Sequence, residues 1–129
     1  MPVDARQPTA QASSDDPQDV RRMALQILRA TDQREQTLDV ALEGFRQKHP
    51  FARQRDRALL QTLVFGVLRW RGRIDFVIEA FSRTPLTKIQ PDILNILRMA
   101  LFQVMFLDRI PVSAAVNTAV ELAKPLAPE

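Results

Sequence analysis

The 129-residue sequence has no cysteine, no tyrosine, one histidine and three glycines. Without cysteine there is no disulfide scaffold, zinc finger, iron–sulfur site or thiol nucleophile. One histidine and no tyrosine leave few groups for general acid–base work. Three glycines are too few to favour a Gly-rich loop that cradles phosphate. The longest apolar stretch, residues 93–107, is interrupted by Asn95, Arg98 and Gln103 and stops short of the ~20 residues a membrane span requires. Residues 1–16 carry Asp4, Asp15 and Asp16 and no apolar run of signal-peptide length. These absences disfavour an enzyme and lead us to expect a small cytoplasmic domain with no membrane association.

What is present is 46% apolar, enough for a core, and its periodicity is helical. Residues 1–16 are rich in Pro, Gln, Ser, Asp and Ala without a period, and read as a disordered tail. Asp16 as cap, Pro17 at the first helical position and Asp19 in the first turn open a helix over about 17–31, with Val20, Ala24, Ile27, Leu28 and Thr31 on one face. A second helix starts at Gln36 or Thr37 and ends near Lys48, before Pro50. A third spans 51–71, or starts only at Asp56, and is apolar most of the way round. That pattern belongs to a central helix, and Gly66 inside it suggests close approach of a neighbouring backbone. Gly72 interrupts. Further helices follow over 73–82 (face Ile74, Val77, Ile78, Phe81), 91–108 and 112–124, the last with Ser113 as a possible cap. No strand pattern competes, so the fold class is all-α with about six helices.

The net charge of +3 hides an uneven distribution. Residues 36–75 hold eight basic and four acidic groups, whereas the segments on either side are near neutral. Arg46, Lys48, Arg53, Arg55, Arg57, Arg69, Arg71 and Arg73 fall within 46–73, where Asp56 is the single acid. Seven are Arg, whose planar fork suits phosphate. Arg53, Arg55 and Arg57 stand at the start of the third helix, where the macrodipole disfavours cations. An anionic partner would account for this, and so would a solvated charged face. No aromatic platform for single strands is apparent, since most aromatics fall on apolar faces.

Several residues carry two readings each. Trp70 either packs into the core, with Arg69 in an internal ion pair, or offers a partly exposed indole to a base. His49 has no second ligand for a metal. Asp56 is expected to cap the third helix or to pair with Arg57. Arg98, in the apolar run, is expected to be paired and half-buried. Asn117 is a candidate interhelical hydrogen-bonder.

Taken together, several strings resemble a known family. Arg21-Arg22-Met23-Ala24-Leu25-Gln26-Ile27-Leu28 opens the first helix. Arg55-Asp56-Arg57-Ala58-Leu59-Leu60 and Phe65-Gly66-Val67-Leu68-Arg69-Trp70 frame the third. Asn95 to Gln103 lies in the fifth helix, and Arg109-Ile110-Pro111-Val112-Ser113-Ala114-Ala115-Val116-Asn117 leads into Ala119-Val120-Glu121-Leu122-Ala123-Lys124. In this order, over roughly 18–124, they resemble the NusB-like domain. They are most similar to the N-terminal domain of RsmB (Sun/Fmu) type ribosomal RNA cytosine-C5 methyltransferases. Phe65 to Asp75 and Ile110 to Asn117 carry that preference over free-standing NusB, an antitermination factor that binds boxA RNA.

The resemblance implies a NusB-like helical domain over 17–124, with 125–129 at the end of an excised domain that lacks a final helix. It implies a non-catalytic module that binds 16S ribosomal RNA and positions it. S-adenosylmethionine and the catalytic cysteines would lie in a separate C-terminal methyltransferase domain. Expected partners are ribosomal RNA and that catalytic domain, which would dock on the fifth and sixth helices. A homodimer through an apolar groove there is a further expectation. The expected RNA-binding residues are Arg53, Arg55, Arg71 and Arg73, flanked by Arg46 and Lys48, with Arg21 and Arg22 added by family resemblance.

Overall fold

The computed structural model describes residues 17–34, 36–48 and 53–126. The expected tail over 1–16, Asp16 and His49 lie outside the described residues, as do the last three positions. Six α-helices are described: α1 (Pro17–Asp32), α2 (Leu38–Lys48), α3 (Gln54–Arg69), α4 (Arg71–Phe81), α5 (Pro91–Phe106) and α6 (Val112–Ala123). Short 3-10 turns cover Leu86–Lys88 and Lys124–Leu126. No strand occurs among the described residues.

The chain divides into two compact units, residues 1–60 and 61–129, with the boundary inside α3. In the first unit, α1 packs on α2. Val20, Ala24, Ile27 and Leu28 of α1 and Ala41 and Leu42 of α2 are buried, the set that the spacing of three and four selects. Thr37 caps α2: its Oγ1 accepts the Val40 N–H at 3.3 Å and its carbonyl accepts the Ala41 N–H, which satisfies donors the helix cannot use. After α1, Arg34 adopts a left-handed backbone with φ 58°, a conformation in which a Cβ crowds the following carbonyl. Arg34→Gly removes that crowding at some cost in unfolded-chain entropy. A gain of about 0.5 kcal/mol is expected, visible as a higher thermal midpoint.

In the second unit α5 packs against both α4 and α6. Leu94, Ile96, Met99 and Phe102 of α5 are buried, as are Ile74 and Ile78 of α4 and Ala115 and Leu122 of α6. Each of these side chains larger than alanine contributes roughly 1.5–3 kcal/mol of burial. Gly66 is packed against an aromatic ring rather than a backbone: a Cβ there would overlap the Phe102 side chain.

Two boundaries differ from the periodicity reading. The break between α3 and α4 falls at Trp70 (φ −102°, ψ 15°), and Gly72 lies inside the first turn of α4. Glycine is disfavoured in helix interiors but tolerated in a first turn, where N–H groups have no intrahelical partner anyway. The chain turns instead where the Trp70 indole stacks on Phe106, centroids 4.9 Å apart and planes at 21°. Similarly, α6 is entered through Pro111, with no side-chain cap, and Ser113 is an exposed residue within it.

Candidate nucleic-acid interface

Among the expected contact residues of the first unit, Arg22, Arg46, Lys48, Arg53 and Arg55 are exposed. Arg46 holds Glu43 at 3.2 Å across one turn of α2. Such an exposed pair is worth at most about 1 kcal/mol and yields readily to a phosphate. Lys48 makes no ion pair among the described residues and lines an open cavity of about 270 Å³ between α1 and α2, with Met23, Ile27 and Phe45. Arg55 projects from the first turn of α3.

Arg21 stands apart. Its residue is only 6% exposed, and desolvation pushes its guanidinium below the ordinary value. Both Arg21 and Arg22 have partners within the protein, so burial is what separates them. Arg21 therefore serves the fold of the first unit, and its neighbour Arg22 presents the charge to solvent. The Arg21-Arg22 pair looked equivalent in sequence, but adjacent helical residues point 100° apart.

In the second unit the cations cluster around the α3–α4 turn. Arg69 lies over the Trp70 ring at 5.5 Å, a cation–π contact in place of the expected internal ion pair. Trp70 is half-buried and stacked on Phe106, which is itself tilted against Phe102 at 5.5 Å. Arg71 is half-buried, and Arg73 is exposed on α4. The acid that follows in sequence, Asp75, is neutralised. Arg98 donates Nε and Nη2 to its two carboxylate oxygens at 2.8 and 2.9 Å, and donates Nη1 to Asn95 Oδ1 at 3.0 Å. The expected pairing of Arg98 is present, with a more buried guanidinium than half, and it leaves Arg73 without a competing carboxylate at that position.

Other expectations change. Asp56 lies in the first turn of α3 and, among the described residues, forms neither a cap nor an ion pair; its Oδ2 and the Arg57 Nε are buried without hydrogen-bond partners there. Asn117 is exposed and bonds to no neighbouring helix. Phe81, placed on the apolar face of α4, is 85% exposed because the helix ends there and nothing covers the ring. Phe76, which residue type alone would place in the core, is 73% exposed. Helical arithmetic could have found it: it is two residues from both Ile74 and Ile78, hence 200° from each and opposite the buried face.

On α6, Val112, Val116 and Val120 are exposed at a spacing of four, and on α5 so are Leu97 and Val104. The apolar surface expected on these helices is thus present. No helix of the described residues is long and apolar enough to cross a membrane. Gly44, Gly66 and Gly72 all lie within helices, and none adopts a positive φ, so they form no glycine-rich nucleotide loop among the described residues.

Comparison with known proteins places these features. A profile of the NusB family matches residues 18–129. A probable ribosomal RNA small subunit methyltransferase B of Synechocystis sp. is 41% identical over 104 residues, which is 81% of this chain and 23% of that protein. The probable ribosomal RNA small subunit methyltransferase B of Bacillus subtilis is 32% identical over 105 residues, again covering 23% of its length. The transcription antitermination protein NusB of Trichlorobacter lovleyi is 37% identical over 107 residues, covering 75% of it. The chain thus spans about a quarter of the methyltransferases it matches and three quarters of that antitermination protein. With an all-α architecture, exposed arginines on α3 and α4 and a profile match over nearly all described residues, the chain belongs to the NusB family.

Proposed function

We propose that this chain is the non-catalytic RNA-binding domain of a ribosomal RNA methyltransferase, and that it positions 16S RNA for cytosine-C5 methylation by a separate S-adenosylmethionine-dependent domain. The observation that carries the reading is the exposed cations that each unit presents, Arg53 and Arg55 at the start of α3 in the first and Arg73 at the start of α4 in the second, on a chain whose methyltransferase relatives extend well beyond the matched region. Cations at helix starts work against the macrodipole, and a phosphate near the exposed Arg55 and Arg73 would offset that cost. The contacting groups are Arg22, Arg46, Lys48, Arg53, Arg55, Arg71 and Arg73. Their mechanism is phosphate neutralisation and shape recognition.

Arg55→Glu and Arg73→Glu replace exposed side chains, so folding should be unaffected. Together they are expected to weaken binding of a 16S RNA fragment on the order of tenfold or more. They should also flatten the dependence of log K on log salt by roughly one unit per lost phosphate contact. Unchanged titrations at low salt would overturn the surface.

Coverage of three quarters of an antitermination protein supports a second reading, a NusB-type factor that binds boxA RNA. Tighter binding to boxA RNA than to 16S fragments would favour it. The exposed valines of α6 support a companion role in docking the catalytic domain of the same parent. Val116→Lys should abolish capture of that purified domain without RNA present. If it instead converts a sedimenting dimer to a monomer, the face is a homodimer contact.

A further inference from the structure

We propose that Phe76 is a stacking platform for one unpaired base of a single-stranded RNA segment, with Arg73 and Arg83 holding the flanking phosphates. The proposal rests on the RNA-binding reading above and adds a contact to the base itself. Phe76 is 73% exposed on the solvent face of α4. A side chain on a helix leans over the turn before it, and that turn is open: Gly72, four residues back, has nothing within 4 Å of where a Cβ would stand. Four residues on, Ala80 is small and exposed. The ring therefore has room on both sides for a planar partner.

The charges around it suit a nucleotide. Arg73 precedes Phe76 by one turn and Arg83 follows α4. Both are exposed, and neither has an ion-pair partner among the described residues. Asp75 is held by Arg98. Glu79, one turn after Phe76, is the acid remaining on this face, so its removal should strengthen RNA binding. A protein partner fits less well. Phe76 is the one large apolar residue on its side of α4, since Phe81 lies 140° round the helix, and a protein interface needs a continuous buried patch. The three exposed valines of α6 form such a stripe, and Phe76 does not.

The test is titration of the full chain with a single-stranded oligouridylate carrying one 2-aminopurine, whose fluorescence is quenched on stacking. Wild type should bind and quench. Phe76→Ala should lose the quench and bind about tenfold more weakly. Phe76→Leu, which keeps apolar bulk without a π face, should behave like Phe76→Ala, and Phe76→Trp should restore both signals. The melting temperature should be unchanged in all three. Glu79→Gln should tighten binding severalfold at low salt. If wild type quenches and Phe76→Ala does so equally, the stacking site is overturned while RNA binding stands. Wild-type binding by Phe76→Leu would make the contact merely apolar and overturn it as well. Should Phe76→Ala leave RNA binding intact but abolish capture of the parent's catalytic domain, this face docks protein and the proposal fails. A wild-type chain that binds neither this oligonucleotide nor 16S or boxA RNA defeats the RNA reading itself.

Discussion

Asp75→Ala is expected to lower the unfolding free energy by about 3 kcal/mol, because it strands a buried guanidinium. The Arg98 side chain is 6% exposed and that of Asp75 23%. Two parallel charge-assisted bonds fix the pair, and Asn95 occupies a third donor of Arg98. Without Asp75 the guanidinium keeps only the neutral Asn95 oxygen, inside a helix core of Ile96, Met99 and Phe102. The partial exposure of Asp75 lets water enter the vacated space, which places the loss at the lower end of the range for broken buried pairs. Replacing both partners tells a different story. Asp75→Ala with Arg98→Met removes the charges together and retains most of the side-chain volume, so it should recover most of the stability. Urea denaturation of the two single variants and the double variant measures this directly. A loss under about 1 kcal/mol in Asp75→Ala would show that the pair acts as a surface salt bridge.

Most of this architecture is written in the apolar spacing. Ala24, Ile27 and Leu28 on α1 are buried as their positions dictate, because a period near 3.6 fixes one face toward the core; on α6 the expected face of Val112, Ala115, Val116, Ala119, Val120 and Ala123 is buried at Ala115 but exposed at its three valines. Arg98 was legible as well: a cation in an apolar run has to be paired. The candidate surface was only partly legible. Charge counting weights Arg21 and Arg22 alike, yet burial separates them, since one helical step decides which faces solvent. The site for Trp70 was open between core and surface, and the structure takes a middle course, with one face on Phe106 and Arg69 above the ring. Residue type places Phe76 in the core, whereas its angular position on α4 puts it outside. The helix break at Trp70 could not be read from local propensity, which favours Gly72. It coincides with a contact to α5, more than thirty residues away in the chain.

That contact belongs to an aromatic cluster in which Gly66 sets the spacing, and Gly66→Ala is expected to cost about 1–3 kcal/mol. On propensity alone the substitution should stabilise α3 by about 1 kcal/mol, since glycine is a poor helix former. Sterics reverse the sign. A Cβ at position 66 overlaps the Phe102 ring at three of its carbons. Phe102 is buried and cannot turn away without disturbing Phe106, against which it is tilted at 30°, and Phe106 in turn carries the Trp70 indole. Displacement should therefore reach Trp70, the sole tryptophan of the chain, and shift its emission to the red in the folded state. Phe102→Leu opens space over Gly66. In that background Gly66→Ala should cost far less, or should stabilise as propensity dictates, giving a coupling energy of about 1–2 kcal/mol in a double-mutant cycle. If Gly66→Ala were stabilising in the wild-type background, the close approach of α3 and α5 would be wrong. If it were equally costly with Phe102→Leu, the loss would have to come from something other than this ring.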